Sequence, residues 1–107
     1  MATGRLYTPT QLGTGNTTIY AVPAGYYGVF NVSLTNTSSS SVTIRLALAS
    51  SSTPSTEEWI EYDATIPPKG VFERTSLVLD AGKYVVALAS TGSVVNACVY
   101  GIETSTS

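Results

Sequence analysis

Apolar and polar residues alternate along much of this chain with the two-residue period of a β-strand. In the segment Tyr26–Asn36, the apolar residues Phe30, Val32 and Leu34 are each followed by a polar residue. Successive side chains of a strand point to opposite faces, so this pattern predicts a strand with one buried face. Seven strands are predicted in all, over Thr17–Val22, Tyr26–Asn36, Val42–Ala49, Glu57–Ile66, Val71–Leu79, Lys83–Ser90 and Val94–Glu103.

Turn-forming residues separate these strands at short intervals, as in Pro23-Ala24-Gly25 and Pro67-Pro68-Lys69-Gly70. About seven short strands with regular turns and no helical period are typical of an all-β protein, an antiparallel β-sandwich. Two topologies stay open, immunoglobulin-like and jelly-roll. The length of 107 residues favours one domain. We expect an N-terminal arm over residues 1–16, a β-sandwich domain over 17–103 and a flexible tail over 104–107.

The predicted strand Glu57–Ile66 carries aromatic residues on both of its faces. Its core face is predicted to hold Ile60, Tyr62, Ala64 and Ile66. Trp59 has the opposite parity and shares its face with Glu61 and Asp63. A β-bulge after Glu58 would shift the register by one residue and turn Trp59 into the core. Without that bulge, Trp59 is predicted to lie outside the core.

The last two predicted strands, Lys83–Ser90 and Val94–Glu103, are apolar on both faces. We therefore expect them at the centre of a sheet or at an interface. Charge, which usually protects sheet edges against association, is scarce in this chain. These features together predict self-association or addition to a larger assembly.

Composition narrows the classes of partner. Ser and Thr make up 30 of the 107 residues, whereas charged residues are 11%, so hydroxyl groups must cover much of the surface. The net charge is −2 and the five basic residues are scattered singly, which argues against nucleic acid and against an anionic membrane surface. No apolar run is long enough for a membrane span or a signal peptide, so we expect synthesis in the cytoplasm, a reducing compartment. The single Cys98 is expected to be a small buried residue.

The residue types argue against an enzyme and against any cofactor. The chain has no His and one Cys, which excludes Ser-His and Cys-His nucleophiles and an ordinary zinc site. No Gly-rich phosphate loop is present. The acidic cluster Glu57, Glu58, Glu61 and Asp63 is interpreted as a solvated face, partly paired with Arg45, Arg74 or Lys83, in preference to a metal site or a catalytic carboxylate pair.

The candidate functional residues are therefore interface residues. Exposed Trp and Tyr anchor protein interfaces, although Trp59 has two other interpretations, packing onto its own loop or stacking on a sugar. Tyr26 and Tyr27 are adjacent, so one of them must leave the core face. Isolated apolar residues of the arm are suited to reach a neighbouring subunit. The predicted interface set is Leu6, Tyr7, Leu12, Tyr26, Tyr27 and Trp59.

Four segments of the chain carry a resemblance to a known group of proteins. They read Asn16-Thr-Thr-Ile-Tyr-Ala-Val-Pro-Ala-Gly25, Val42-Thr-Ile-Arg-Leu-Ala-Leu-Ala49, Trp59-Ile-Glu-Tyr-Asp-Ala-Thr-Ile66 and Leu79-Asp-Ala-Gly-Lys-Tyr-Val-Val86. In this layout of turns and strands, residues 4–103 resemble the small all-β virion structural proteins of tailed bacteriophages. That group includes capsid decoration (cement) proteins and tail- or fibre-associated modules.

The resemblance implies a non-enzymatic structural virion protein that binds and stabilises an assembled capsid lattice. The partners it implies are the major capsid protein or another virion protein, and further copies of this chain as a homotrimer. It carries no catalytic residues over to this sequence. The alternative is a tail- or fibre-associated binding module or a carbohydrate-binding domain, which would bind a glycan instead of a protein lattice.

Overall fold

The structure is a computed structural model that describes residues 3–106. Within that range the chain forms nine strands and one short 3-10 turn, Thr56–Glu58, and no helix is long and apolar enough to cross a membrane. The strands are β1 (Thr3–Arg5), β2 (Thr10–Gln11), β3 (Thr17–Ala21), β4 (Tyr26–Asn36), β5 (Val42–Ala49), β6 (Trp59–Ile66), β7 (Val71–Leu79), β8 (Tyr84–Ala89) and β9 (Val95–Ser105).

The strands form two antiparallel sheets that pack face to face, which confirms the predicted all-β sandwich. The five-stranded sheet has the order β1-β9-β4-β7, with β2 also paired to β9, and the four-stranded sheet has the order β3-β8-β5-β6. Strands β8 and β9 are each flanked by partners on both sides. This central position explains their two-faced apolar sequences, because a strand inside a sheet is covered more completely than an edge strand.

The pairing of the strands is nested. The N-terminal strands β1 and β2 pair with the last strand β9, β3 pairs with β8, β4 with β7 and β5 with β6. A chain paired in this way is one long antiparallel hairpin rolled into two layers, which is the jelly-roll topology. An immunoglobulin-like sandwich instead has the sheet orders A-B-E-D and C-F-G, in which the first two strands pair with each other. Of the two topologies that the sequence left open, the structure therefore has the jelly roll.

The core lies between the two sheets and is built from the inward positions of the alternating strands. Phe30, Val32 and Leu34 of β4 are at most 1% exposed, as the alternation predicts. The inward residues of β5 and β8 complete the opposite wall. Among the largest fully buried side chains are Tyr20, Phe30, Leu12, Ile19, Leu34, Ile44, Leu46 and Ile66.

The ends of the described chain differ from the expected arm and tail. Both β1 and β2 hydrogen-bond to β9, and Leu12 is 1% exposed within the core. Two backbone groups of Leu12 bond to the β9 side of the sandwich, its N–H to the Val95 carbonyl and its carbonyl to the Ser93 N–H. At the other end, β9 continues through Ser105, and the Thr106 N–H donates to the Gly25 carbonyl. Met1, Ala2 and Ser107 lie outside the described residues.

Two irregularities in β6 overturn the predicted core position of Tyr62. The pairing with β5 skips Asp63 and Ile60, so β6 carries extra residues relative to its partner. Asp63 has a φ of 57°, a left-handed conformation that Asp tolerates better than most residues. Each extra residue reverses the alternation of the side chains. Tyr62 is therefore outward and 61% exposed, whereas Ile66 remains fully buried.

Candidate functional site

The acidic residues that the sequence groups together are divided among separate contacts. Glu61 pairs with Arg74 of β7, an ion pair that joins the edge strands of the two sheets. Asp63 pairs with Arg45, and Glu58 accepts hydrogen bonds from its own loop. Across residues 3–106 there is no group of three His, Cys, Asp or Glu side chains placed to hold a metal ion.

A shallow pocket lies on the outer face of the four-stranded sheet. It is lined by Thr56, Trp59 and Tyr62 and has a volume of about 470 Å³. The Trp59 and Tyr62 rings meet edge to face, with centroids 6.1 Å apart and planes inclined at 72°. We call these two side chains the aromatic corner. Its two walls offer a flat ligand one ring to stack on and a second ring along its edge.

Trp59 lies on a small apolar cluster on the outer face of the four-stranded sheet. Opposite it in β5 is Ala47, and Ala49 and Val86 complete a cluster that is at most 1% exposed. The indole and the side chain of Tyr84 cover these three residues. Trp59 is thus half-buried outside the main core, in the outward position that its parity predicts. The small alanine side chains leave room for the indole to lie down on the sheet.

Arg45 and Asp63 fix the orientation of Tyr62. Arg45 is opposite Tyr62 in the β5–β6 register, and its guanidinium carbon lies 3.9 Å from the centre of the Tyr62 ring. The same guanidinium donates from Nε to Asp63 Oδ1 at 2.8 Å and from Nη2 to Asp63 Oδ2 at 3.3 Å. These hydrogen bonds hold the pKa of Asp63 below its ordinary value. The bulge therefore turns Tyr62 outward, and the ion pair supports one face of its ring.

The loop that contributes Thr56 to the pocket is organised by Glu58. Its carboxylate accepts from the Ser55 N–H at 3.0 Å and from the Ser50 N–H at 3.1 Å. The Ser55 N–H in particular holds the pKa of Glu58 below its ordinary value. Because Glu58 directly precedes Trp59, one short segment fixes both the loop wall and the indole.

A second surface lies on the outer face of the five-stranded sheet. Val29 of β4 is paired with Val78 of β7 on one side and with Ile102 of β9 on the other. Val78 is 60% exposed and Ile102 is 45% exposed, so the three side chains form an exposed apolar row across three strands. Tyr27, two positions before Val29 on the same face, extends it. We call these four residues the apolar row.

The structure does not bring the predicted interface residues together at one surface. Leu12 is buried in the core, and Leu6 packs against the core as a partly buried residue. Tyr7 is 40% exposed and meets the buried Tyr20 ring edge-on. Tyr26 is half-buried at the start of β4, and its neighbour Tyr27 belongs to the apolar row, whereas Trp59 lies on the opposite sheet. Leu12 is thus a core residue and has no exposed surface for an interface.

Sequence reasoning missed four residues of these two surfaces, namely Tyr62, Val29, Val78 and Ile102. The last three have outward parity beside inward Phe30, Leu77 and Leu79, so a search for apolar residues on the polar faces would have found them.

Comparison of the chain with models of protein families, with curated proteins and with solved structures finds no match.

Proposed function

We propose that this chain is a non-enzymatic structural virion protein that binds and stabilises an assembled capsid lattice, as a decoration or cement protein does. The observation that carries the proposal is the apolar row on the outer face of the five-stranded sheet. Two of its members, Val78 at 60% exposure and Ile102 at 45%, flank Val29 from the two strands paired with β4. A contiguous exposed apolar patch is a common feature of protein interaction sites.

The surroundings of the row favour a protein partner over an ionic one. Along β4 and β9 the row is bordered by the uncharged residues Thr104 on one side and Asn31 and Tyr100 on the other. Charged groups lie one step further out, with Arg5 paired beside Tyr100 and Glu73 at the Tyr100 hydroxyl. A flat sheet face with an apolar centre and a hydroxyl- and amide-bearing border has the composition of a protein interface, in which charged residues are depleted at the core. The jelly roll is also an architecture that capsid proteins use.

The energy available from this patch suits repeated weak contacts. Fully burying one Val or Ile side chain is worth about 1.5–3 kcal/mol, and these side chains are already partly covered. A single docked row therefore supplies only a few kcal/mol, before the cost of association. Several linked copies on a periodic lattice would raise the overall affinity without new kinds of contact. The proposal accordingly includes self-association, with a homotrimer as the expected state, and attachment to the major capsid protein or another virion protein.

The test is attachment of Val78→Ser/Ile102→Ser to capsid shells assembled without this chain. Density-gradient sedimentation measures the bound fraction over a range of concentrations. We expect the double variant to lose at least about tenfold in affinity, a change of ~1.4 kcal/mol. Val71→Ser is the matched control, because Val71 is a similar residue at 56% exposure on the same strand but outside the row. Equal attachment of all three proteins, or no attachment of the unaltered chain, would contradict the proposal.

A further inference from the structure

The aromatic corner is a second surface, on the sheet opposite the apolar row. We propose that it is a binding site for neutral glycans, which takes one sugar ring against the Trp59 and Tyr62 side chains. The inference does not depend on attachment to a capsid lattice. It rests on the shape of the pocket, on the exposure of Tyr62 and on the charge balance around both rings.

The shape of the corner fits a ligand with a flat apolar face. A pyranose ring presents axial C–H groups on its face and hydroxyl groups around its rim. The C–H face matches an aromatic ring, and the rings inclined at 72° contact such a ligand on its face and along one edge. An open pocket of about 470 Å³ falls within the range of small-molecule sites.

Polar groups at the margin of the corner are suited to the hydroxyl rim. Asp63 has a side chain that is 53% exposed, and Arg45 is 32% exposed. Arg45 uses two of its five N–H donors on Asp63, and each carboxylate oxygen keeps lone-pair capacity beyond the one bond it accepts. Thr56 adds a hydroxyl group to the lining. Donors and acceptors are therefore both present, at Thr56 in the pocket lining and at Arg45 and Asp63 beside the Tyr62 ring.

Charge selects the class of ligand. The Arg45–Asp63 pair is neutral as a unit, and the cation already occupies a position over the Tyr62 ring. Glu57, exposed beside Thr56, tilts the margin towards negative charge. An anionic ligand is thereby opposed, and a ligand cation would compete with Arg45 for the same ring. A neutral ligand that combines an apolar face with hydroxyl groups is the class that remains.

The local backbone is arranged to present this corner. The bulge at Asp63 turns Tyr62 out of the core, and its cost is offset by the Arg45–Asp63 hydrogen bonds. Glu58 fixes the loop that carries Thr56. The walls of the pocket are thus held in place before a ligand arrives, which limits the entropy lost on binding.

The experiment uses the intrinsic fluorescence of the full chain, because Trp59 is its single Trp and lies in the site. The probes are oligosaccharides of glucose, galactose, mannose and N-acetylglucosamine. We expect a saturable change with at least one of them in the millimolar range. Tyr62→Ala should weaken it at least about tenfold, whereas Tyr62→Phe should retain it because the stacking face is preserved. Tyr27→Ala, an exposed Tyr on the other sheet, is the matched control and should bind normally.

Three results would overturn the proposal. In the first, none of the oligosaccharides of the panel gives a saturable response. Another is binding that Tyr62→Ala leaves unchanged. The third is a saturable response to a proline-rich peptide that is stronger than the response to any sugar. Tyr62→Ala should still attach to capsid shells and Val78→Ser/Ile102→Ser should still bind sugar, so failure of one proposal is distinguishable from failure of the other.

Discussion

Replacement of Tyr20 by Phe tests whether the buried pair Tyr20–Glu103 holds the two sheets together. Tyr20 on β3 donates its hydroxyl to Glu103 Oε2 on β9 at 2.7 Å, and the two residues are 0% and 7% exposed. Burial, together with the neighbouring Glu103, raises the pKa of Tyr20 far above its ordinary value. The phenol therefore stays a hydrogen-bond donor. The substitution removes one oxygen atom and leaves the ring in its contacts with Phe30 and Tyr7.

The expected loss follows from what the missing hydroxyl leaves behind. A hydrogen bond to a charged group contributes about 1.5–3 kcal/mol, and a buried acceptor without its donor also keeps its desolvation cost. We expect Tyr20→Phe to lower the free energy of unfolding by about 2–3 kcal/mol. For a domain of this size, each kcal/mol corresponds to a melting-temperature shift of about 4–5 °C. Gly28, where an added Cβ would lie 2.9 Å from the hydroxyl, shows how closely the site is fitted to that oxygen.

A double-mutant cycle with Glu103→Gln separates the charged hydrogen bond from the packing of the ring. In the Gln background the acceptor is neutral, so Tyr20→Phe should cost only about 0.5–1.5 kcal/mol. Urea unfolding at neutral pH, with equal slopes for the four proteins, measures the cycle. An equal cost in both backgrounds, or a cost below about 0.5 kcal/mol in the unaltered chain, would refute the reasoning.

Two further predictions concern the aromatic corner. Trp59→Ala uncovers Ala47, Ala49 and Val86 without opening the main core. It should therefore lower the free energy of unfolding by about 1–2 kcal/mol, less than the ~3–5 kcal/mol typical of a core Trp. Thermal unfolding checks this, and a larger loss would place Trp59 in the core. Acid should also lower the melting temperature. The pKa values of Asp63 and Glu58 are lower in the folded state than in the unfolded state. Their contribution to folding stability is therefore complete above the unfolded-state pKa values. It is lost as the pH falls through the folded-state pKa values, below about pH 4. Asp63→Asn, which suits the left-handed backbone, should flatten that acid dependence in melting curves, and an unchanged curve would contradict the assignment.

The long strands could be predicted because one face of each must be buried. Tyr26–Asn36 and Val42–Ala49 have the predicted bounds, since their alternation is regular from end to end. The central positions of β8 and β9 were also within reach, because both strands carry apolar residues on both faces. The two shortest strands, β1 and β2, were not, since residues 3–5 and 10–11 have too few side chains for a pattern and depend on β9 for their structure.

The candidate sites were harder to predict because they depend on interruptions of the pattern. The residues Ile60, Tyr62, Ala64 and Ile66 alternate without a visible break, yet the pairing with β5 skips two positions of β6. Only Asp63, a residue type that tolerates the left-handed region, is a local sign of a bulge. Parity counted back from Ile66 therefore gives the wrong face for Tyr62. Two bulges together restore the parity of Trp59, which is why its outward position was predicted correctly by an incomplete argument.

The two candidate surfaces make different demands on the same sandwich. The apolar row uses regular pairing, because Val78, Val29 and Ile102 align only if three strands stay in register. The aromatic corner uses a break in register, since Tyr62 faces outward only through the bulge at Asp63. The ion pair Glu61–Arg74 joins the edge strands β6 and β7. Strand β6 carries the aromatic corner, and strand β7 contributes Val78 to the apolar row. The two surfaces lie on opposite layers, so a chain docked through the five-stranded sheet would keep Trp59 and Tyr62 directed away from its partner.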